Sequence, residues 1–148
     1  MNESILIVDD NPDDAALIKR AVLSLHPKST VRWLSGANEL KVWLEGEGEF
    51  ADREKFPYPC LILLDLRMPE MNGLELLEWL KDQPKHSKIP VIAVSSFDRQ
   101  REIRKSYQLG AKTFLSKPIS AEELRTAIRS LKLPVDFAER WTDQHSLQ

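Results

Sequence analysis

Cys60-Leu61-Ile62-Leu63-Leu64 is a continuous apolar run that stops at a carboxylate, Asp65. Polar residues do not alternate with apolar ones along it, so the run reads as a strand buried on both faces. Gly73, Leu76, Leu77 and Leu80 follow at i, i+3, i+4, i+7, the spacing of one buried helix face. The same rhythm extends in both directions. Upstream are Ser4-Ile-Leu-Ile-Val8 and Thr30-Val-Arg-Trp-Leu34; downstream are Pro90-Val-Ile-Ala-Val94 and Lys112-Thr-Phe-Leu115. Ile18, Ala21, Val22 and Leu25 form a second helical stripe, and Ala121, Leu124, Ile128 and Leu131 a third. Asn11-Pro12 reads as an N-cap followed by proline at the first helical position, and Gly110 stands where a helix should stop. Strand and helix thus alternate five times, which predicts an α/β chain with a doubly wound parallel sheet covered on both faces.

The 148 residues suit one domain, with 42% hydrophobic and 30% charged residues in a globular balance. Lys and Arg number 21 against 23 Asp and Glu, so no basic excess points to nucleic acid. The single cysteine, Cys60, precludes an intrachain disulfide and a cysteine zinc cluster, and reads as an inert core thiol. No apolar run has transmembrane length, and Asp9 and Asp10 come too early for a signal peptide, so the expectation is a cytoplasmic protein.

Ligands of a parallel sheet bind beyond the carboxyl ends of its strands. The residues there are Asp9 and Asp10 after the first strand, Asp65 after the third, Ser95 after the fourth, and Ser116-Lys117-Pro118 after the fifth. Each has an ordinary reading. Asp9 and Asp10 favour a helix N-terminus, although Asp13 and Asp14 in the first turn serve that better. Asp65 opens a turn, Ser95 ends a strand, and Lys117 is a solvated loop lysine. Together they read differently, because three crowded carboxylates repel one another unless a cation is present. Magnesium suits such a site, since it takes one or two carboxylates together with phosphate oxygens. An aspartate beside it can attack a phosphoryl group, with Lys117 neutralising one oxygen and Ser95 hydrogen-bonding another.

Four motifs carry a family resemblance: Ile7-Val8-Asp9-Asp10, Leu63-Leu64-Asp65-Leu66-Arg67-Met68-Pro69-Glu70-Met71-Asn72-Gly73, Ala93-Val94-Ser95-Ser96 and Leu115-Ser116-Lys117-Pro118. In their order and spacing the chain, from about Ser4 to Leu131, resembles the receiver domain of two-component response regulators. The resemblance implies a flavodoxin-like five-stranded sheet in order 2-1-3-4-5. It implies Asp65 as the phosphorylated residue, and Mg2+ held by Asp10, Asp65 and the backbone carbonyl of Arg67, with Asp9 acting through water. Lys117 would contact the phosphoryl group ahead of a cis bond to Pro118. Ser95 and Phe114 would form the switch pair, and the donor would be a sensor histidine kinase. Arg67 and Phe97, each two residues beyond a site residue, would overhang the phosphoryl group and set its lifetime.

The remaining segments divide the chain into a domain over 1–133 and a tail over 134–148. The tail carries Phe137 and Trp141 and reads either as a strap or as a homodimer contact. It is too short for a DNA-binding output domain. Gly46 to Pro59 reads as a solvated insertion. The loop and tail resemble those of stand-alone regulators that accompany phytochromes, which implies a phytochrome-type kinase. His26, His86 and His145 read as surface residues, and Trp33, Trp43 and Trp79 as core or half-buried packing. Arg99 to Lys105 carries four basic residues and one acidic, either a solvated helix face or a partner surface.

Three rivals remain in view. A haloacid-dehalogenase-type phosphohydrolase needs an aspartate where Arg67 stands. A flavin carrier needs a phosphate cradle where Asp9-Asp10-Asn11-Pro12 stands. A receiver-like scaffold would never turn over phosphate, and the intact acid cluster and Lys117 argue against it; a receiver that does take up phosphate could instead serve as a phosphate sink. The expectation is therefore a signalling protein rather than an enzyme.

Overall fold

The computed structural model describes residues 4–68, 72–96 and 100–131. The strands are β1 (Ser4–Val8), β2 (Thr30–Leu34), β3 (Leu61–Asp65), β4 (Val91–Ser95) and β5 (Thr113–Ser116). They alternate with helices α1 (Pro12–Leu25), α2 (Ala37–Glu45), α3 (Gly73–Lys81), α4 (Gln100–Gln108) and α5 (Ala121–Ser130). All pairings are parallel, in the order β2-β1-β3-β4-β5. The order reverses between β1 and β3, the place where a doubly wound sheet opens a crevice.

Every residue of β1, β3 and β4 is buried, as continuous apolar runs require. Alternate side chains of these strands feed two cores. Ile5, Ile7, Leu61, Leu63, Ile92 and Val94 pack with α1 and α5. Leu6, Val8, Ile62, Leu64 and Ala93 pack with α2 and α3 on the other face. The predicted stripes are the buried ones: Ile18, Ala21 and Val22 in α1, and Gly73, Leu76, Leu77 and Leu80 in α3. Asn11 caps α1 by accepting from the Asp13 and Asp14 N–H groups.

Three strands lie one residue further along than the apolar runs suggested. Pro90 has no N–H and precedes β4, although its carbonyl accepts from Ile62 N. Asp65 is the last residue of β3, in register with Val94, rather than the residue after it. The next residue, Leu66, still donates its N–H to the Val94 carbonyl, so Asp65 lies within the ladder rather than in the loop.

Gly73 explains how α3 starts so close to this strand end. A Cβ there would lie 2.5 Å from Leu66 Cα and 2.6 Å from the Asp65 carbonyl oxygen. Only glycine allows that approach.

Four expectations are corrected. His26 and His86 are buried, not surface residues. His26 ends α1 and its Nδ1 meets the Ser29 hydroxyl at 2.9 Å; His86 Nδ1 meets the Tyr58 hydroxyl at 2.5 Å and its ring stacks on Trp79. A neutral imidazole with hydroxyl partners tolerates burial, and burial lowers both pKa values. Trp33 is exposed at 44%, whereas Trp43 is buried and Trp79 half-buried. The Gly46–Pro59 segment is not merely solvated. Phe50 and Phe56 pack edge-on against each other, Phe56 meets Trp43 edge-on and Phe50 meets it at a tilt, and Trp43 Nε1 donates to the Pro57 carbonyl. Arg53 donates to the carbonyls of Trp43 and Leu44 at the end of α2, adding to the Gly46 N–H that the Trp43 carbonyl also accepts. Pro69 to Met71, Phe97, Arg99, His145 and the tail with Phe137 and Trp141 lie outside the described residues.

Candidate functional site

β1, β3, β4 and β5 converge on one edge, and their terminal residues form a single acidic site. Asp9 and Asp65 are buried while Asp10 is exposed, and the three carboxylates offer oxygens within 4.8 Å of one another. One Asp9 oxygen accepts from Asn11 N at 2.9 Å, and the other from Lys117 Nζ at 2.8 Å. Asp65 Oδ1 accepts from the backbone N–H of Arg67 at 3.0 Å, and its Oδ2 lies 3.5 Å from Lys117 Nζ. Lys117 reaches the site because its own N–H donates to the Ser95 carbonyl, which joins the ends of β4 and β5. The Lys117–Pro118 peptide is cis, as the family resemblance implied.

Burial raises the Asp65 pKa to about 6, and the neighbouring Asp9 charge adds to it; the Arg67 N–H and Lys117 oppose the rise. Burial works against the Lys117 charge, yet its hydrogen bonds to Asp14 and Asp9 keep its pKa above the ordinary lysine value. The site therefore holds more negative charge than one ammonium balances. An all-oxygen set of hard donors around uncompensated charge fits Mg2+ and offers nothing for a soft metal. Asp9, Asp10 and Asp65 could hold such an ion, which would supply the positive charge that this cluster lacks.

Ser95 is fully buried. It shares a sheet face with Phe114, because Ala93 pairs with Phe114 in register and Ser95 lies two residues beyond Ala93. Phe114 is half-buried against the α2–α3 core. Arg67 extends its guanidinium to Glu102 on α4, so the loop after β3 and the fourth helix are tied by an ion pair.

Two residues at the site escaped the sequence reading. Asp14 does not merely serve the α1 dipole: its Oδ2 accepts from Lys117 Nζ at 2.9 Å. The signal was present, since Asp14 lies at i−4 from Ile18 and i−7 from Ala21, on the buried stripe. Trp33 donates its indole N–H to the Asp9 carbonyl at 2.6 Å, ending the β1–β2 ladder with a side chain. Nothing local in Thr30–Leu34 announces that bond, which exists only because β2 pairs with β1.

No helix among the described residues is long and apolar enough to cross a membrane. The family model described as "Response regulator receiver domain" matches residues 5–129. The polar-differentiation response regulator DivK of Brucella ovis is 34% identical over 130 residues, covering 88% of this chain and 96% of that one. Among solved structures, the phosphorylated cyanobacterial phytochrome response regulator RcpA is 28% identical with a TM-score of 0.76, over 90% of this chain and 99% of that one. The Mn2+-bound form of response regulator Rcp1 is 26% identical with a TM-score of 0.74, again over 90% and 99%. Sequence, sheet order and acidic edge agree: the chain belongs to the response regulator receiver domain family of two-component signalling.

Proposed function

We propose that Asp65 accepts a phosphoryl group from a sensor histidine kinase in a Mg2+-dependent step, and that the modified domain presents an altered face to a partner. The observation that carries this is the placement of Asp65 at the end of β3, 3.5 Å from Lys117 Nζ and inside a three-carboxylate cluster. An Asp65 oxygen attacks phosphorus as the bond from phosphorus to the donor imidazole nitrogen breaks, and the imidazole leaves with a proton. Lys117 neutralises a phosphoryl oxygen and Ser95 donates its hydroxyl to another. Water later attacks the acyl phosphate, releasing phosphate and restoring the carboxylate. The chain takes part in both steps but turns over no metabolite, so its output is signalling rather than enzymatic.

Ser95 moving toward the phosphoryl group opens space on the face it shares with Phe114, and Phe114 fills it. The result is a shift between two populated states. The Arg67–Glu102 pair is supporting evidence that a change in the β3 loop is felt by α4, whose outward surface is strongly polar. Arg67 and Phe97 set the acyl-phosphate lifetime in this reading. An unchanged dephosphorylation rate in both Arg67→Asn and Phe97→Ala would remove that part.

The names of the phytochrome-associated neighbours favour a phytochrome-type kinase as donor. The division into a domain over 1–133 and a tail over 134–148 that straps the domain or joins a homodimer belongs to the same proposal, as does a cytoplasmic location without DNA or membrane contact. The alternative is a receiver-like scaffold or phosphate sink. Intact-protein mass after incubation with Mg2+ and a small phosphodonor separates the proposal from the scaffold; a sink would gain the group too and would differ in presenting no altered face to a partner. A gain of one phosphoryl group in the native protein and none in Asp65→Asn supports the proposal, whereas no gain in either leaves the scaffold reading.

A further inference from the structure

We infer that Asp14 is a positioning residue that competes with the incoming phosphoryl group for Lys117. The inference rests on the phospho-acceptor reading above and goes beyond it. An ammonium has three protons. At Lys117 the acceptors at hand are Asp9 at 2.8 Å, Asp14 at 2.9 Å and Asp65 at 3.5 Å. Two of the protons are donated, to Asp9 and Asp14, while Asp65 stands only at ion-pair distance, so a phosphoryl group on Asp65 must draw the ammonium toward itself against the hold of those two bonds.

The three acceptors differ in how firmly they are held. Asp9 is fully buried and also takes the Asn11 N–H; Asp65 also takes the Arg67 N–H. Asp14 lies outside the cluster of candidate metal ligands, and its side chain is 36% exposed, so water replaces Lys117 there at least cost. Asp14 and Lys117 also line a cavity of about 340 Å3 walled by Leu17, Ile18, Pro118 and Ile119. The pair can part into that space without repacking the core beneath it.

The Asp14 charge has opposite effects on the two ions the site must take. It attracts Mg2+ and draws positive charge away from Asp65, which favours the metal. It repels a phosphoryl group and holds back the ammonium that group needs. Removing the charge should therefore weaken one ligand and tighten the other. Loss of fold or of helix capping would weaken both.

Titration calorimetry of the wild type, Asp14→Asn and Asp14→Glu tests this with Mg2+ alone, and then with beryllium fluoride, a phosphoryl mimic, at saturating Mg2+. Expected for Asp14→Asn is about tenfold weaker Mg2+ binding and about threefold tighter binding of the mimic, the scale of one unit charge roughly 6 Å from a divalent cation and from a singly charged anion in a water-like dielectric. Asp14→Glu should return both affinities toward the wild type. Affinities in Asp14→Asn that move in the same direction, or not at all, while the wild type binds both ligands overturn the competition. A wild type that takes up no mimic with Mg2+ overturns the phospho-acceptor reading and this inference with it.

Discussion

Replacing Asp65 with asparagine removes one negative charge from an edge where Asp9 and Asp14 already pair with a single ammonium and Asp10 lies beside them. Asp65 is 5% exposed, and burial lifts its pKa from 3.8 to about 6. At about 1.36 kcal/mol per unit, that lift means the ionised carboxylate costs the metal-free fold about 3 kcal/mol above pH 6. A raised folded pKa places the stability contribution below the unfolded value of 3.8, and it is lost as pH rises through about 6. Asparagine is neutral throughout and keeps the oxygen that accepts from Arg67 N. Its amide nitrogen would face Lys117 Nζ donor to donor, a loss of about 1 kcal/mol. The net gain expected for Asp65→Asn is about 2 kcal/mol at pH 8 in chelator, or roughly 4–8 °C in Tm. The gain should shrink as pH falls below 6 and vanish near pH 4. Urea unfolding of both proteins across that range, with and without Mg2+, is the assay. Mg2+ should stabilise the wild type by mass action and the variant far less. A variant no more stable than the wild type at pH 8 without metal, or a gain indifferent to pH, refutes the argument that burial and crowding of charge set the Asp65 energetics.

Gly73→Ala should destabilise the fold by about 3 kcal/mol or more in chemical denaturation, despite the better helix propensity of alanine, because the new methyl meets the backbone of Leu66 and Asp65. Cys60, buried and with its thiol pushed up to about 11, should resist iodoacetamide in the native protein at pH 8 and react fully in urea; labelling of the native protein would show that the end of the sheet opens. His86 has its pKa lowered by burial, so the stability it contributes is present above the unfolded value of 6.5 and is lost as pH falls below it. The wild type should therefore lose more stability than His86→Gln between pH 7 and 5, and parallel pH profiles would contradict that.

Much of the fold was legible because it depends on period and propensity, which are local. Unbroken apolar runs marked β1, β3 and β4 as buried on both faces, and the helical stripes marked the inward faces of α1, α3 and α5. The acidic edge was legible for the same reason: a carboxylate at the end of a parallel strand must lie beside those ending its neighbours. Partners chosen across the sheet were not legible. Trp33 reaches the Asp9 carbonyl, Asp14 reaches Lys117, and Arg67 reaches Glu102 over separations that no window of sequence spans. His86 and the Gly46–Pro59 segment failed for a related reason. A histidine with polar neighbours and a loop rich in charge look solvated by composition, yet Tyr58 and Trp79 enclose the one, and Trp43 and Arg53 anchor the other. The sequence by itself determined which apolar runs and helical stripes must be buried, and that the strand-end charges of Asp9, Asp10, Asp65 and Lys117 must meet. Only the tertiary structure decided how the one ammonium is shared among three carboxylates, because that depends on distances of a few ångströms between elements far apart in the chain.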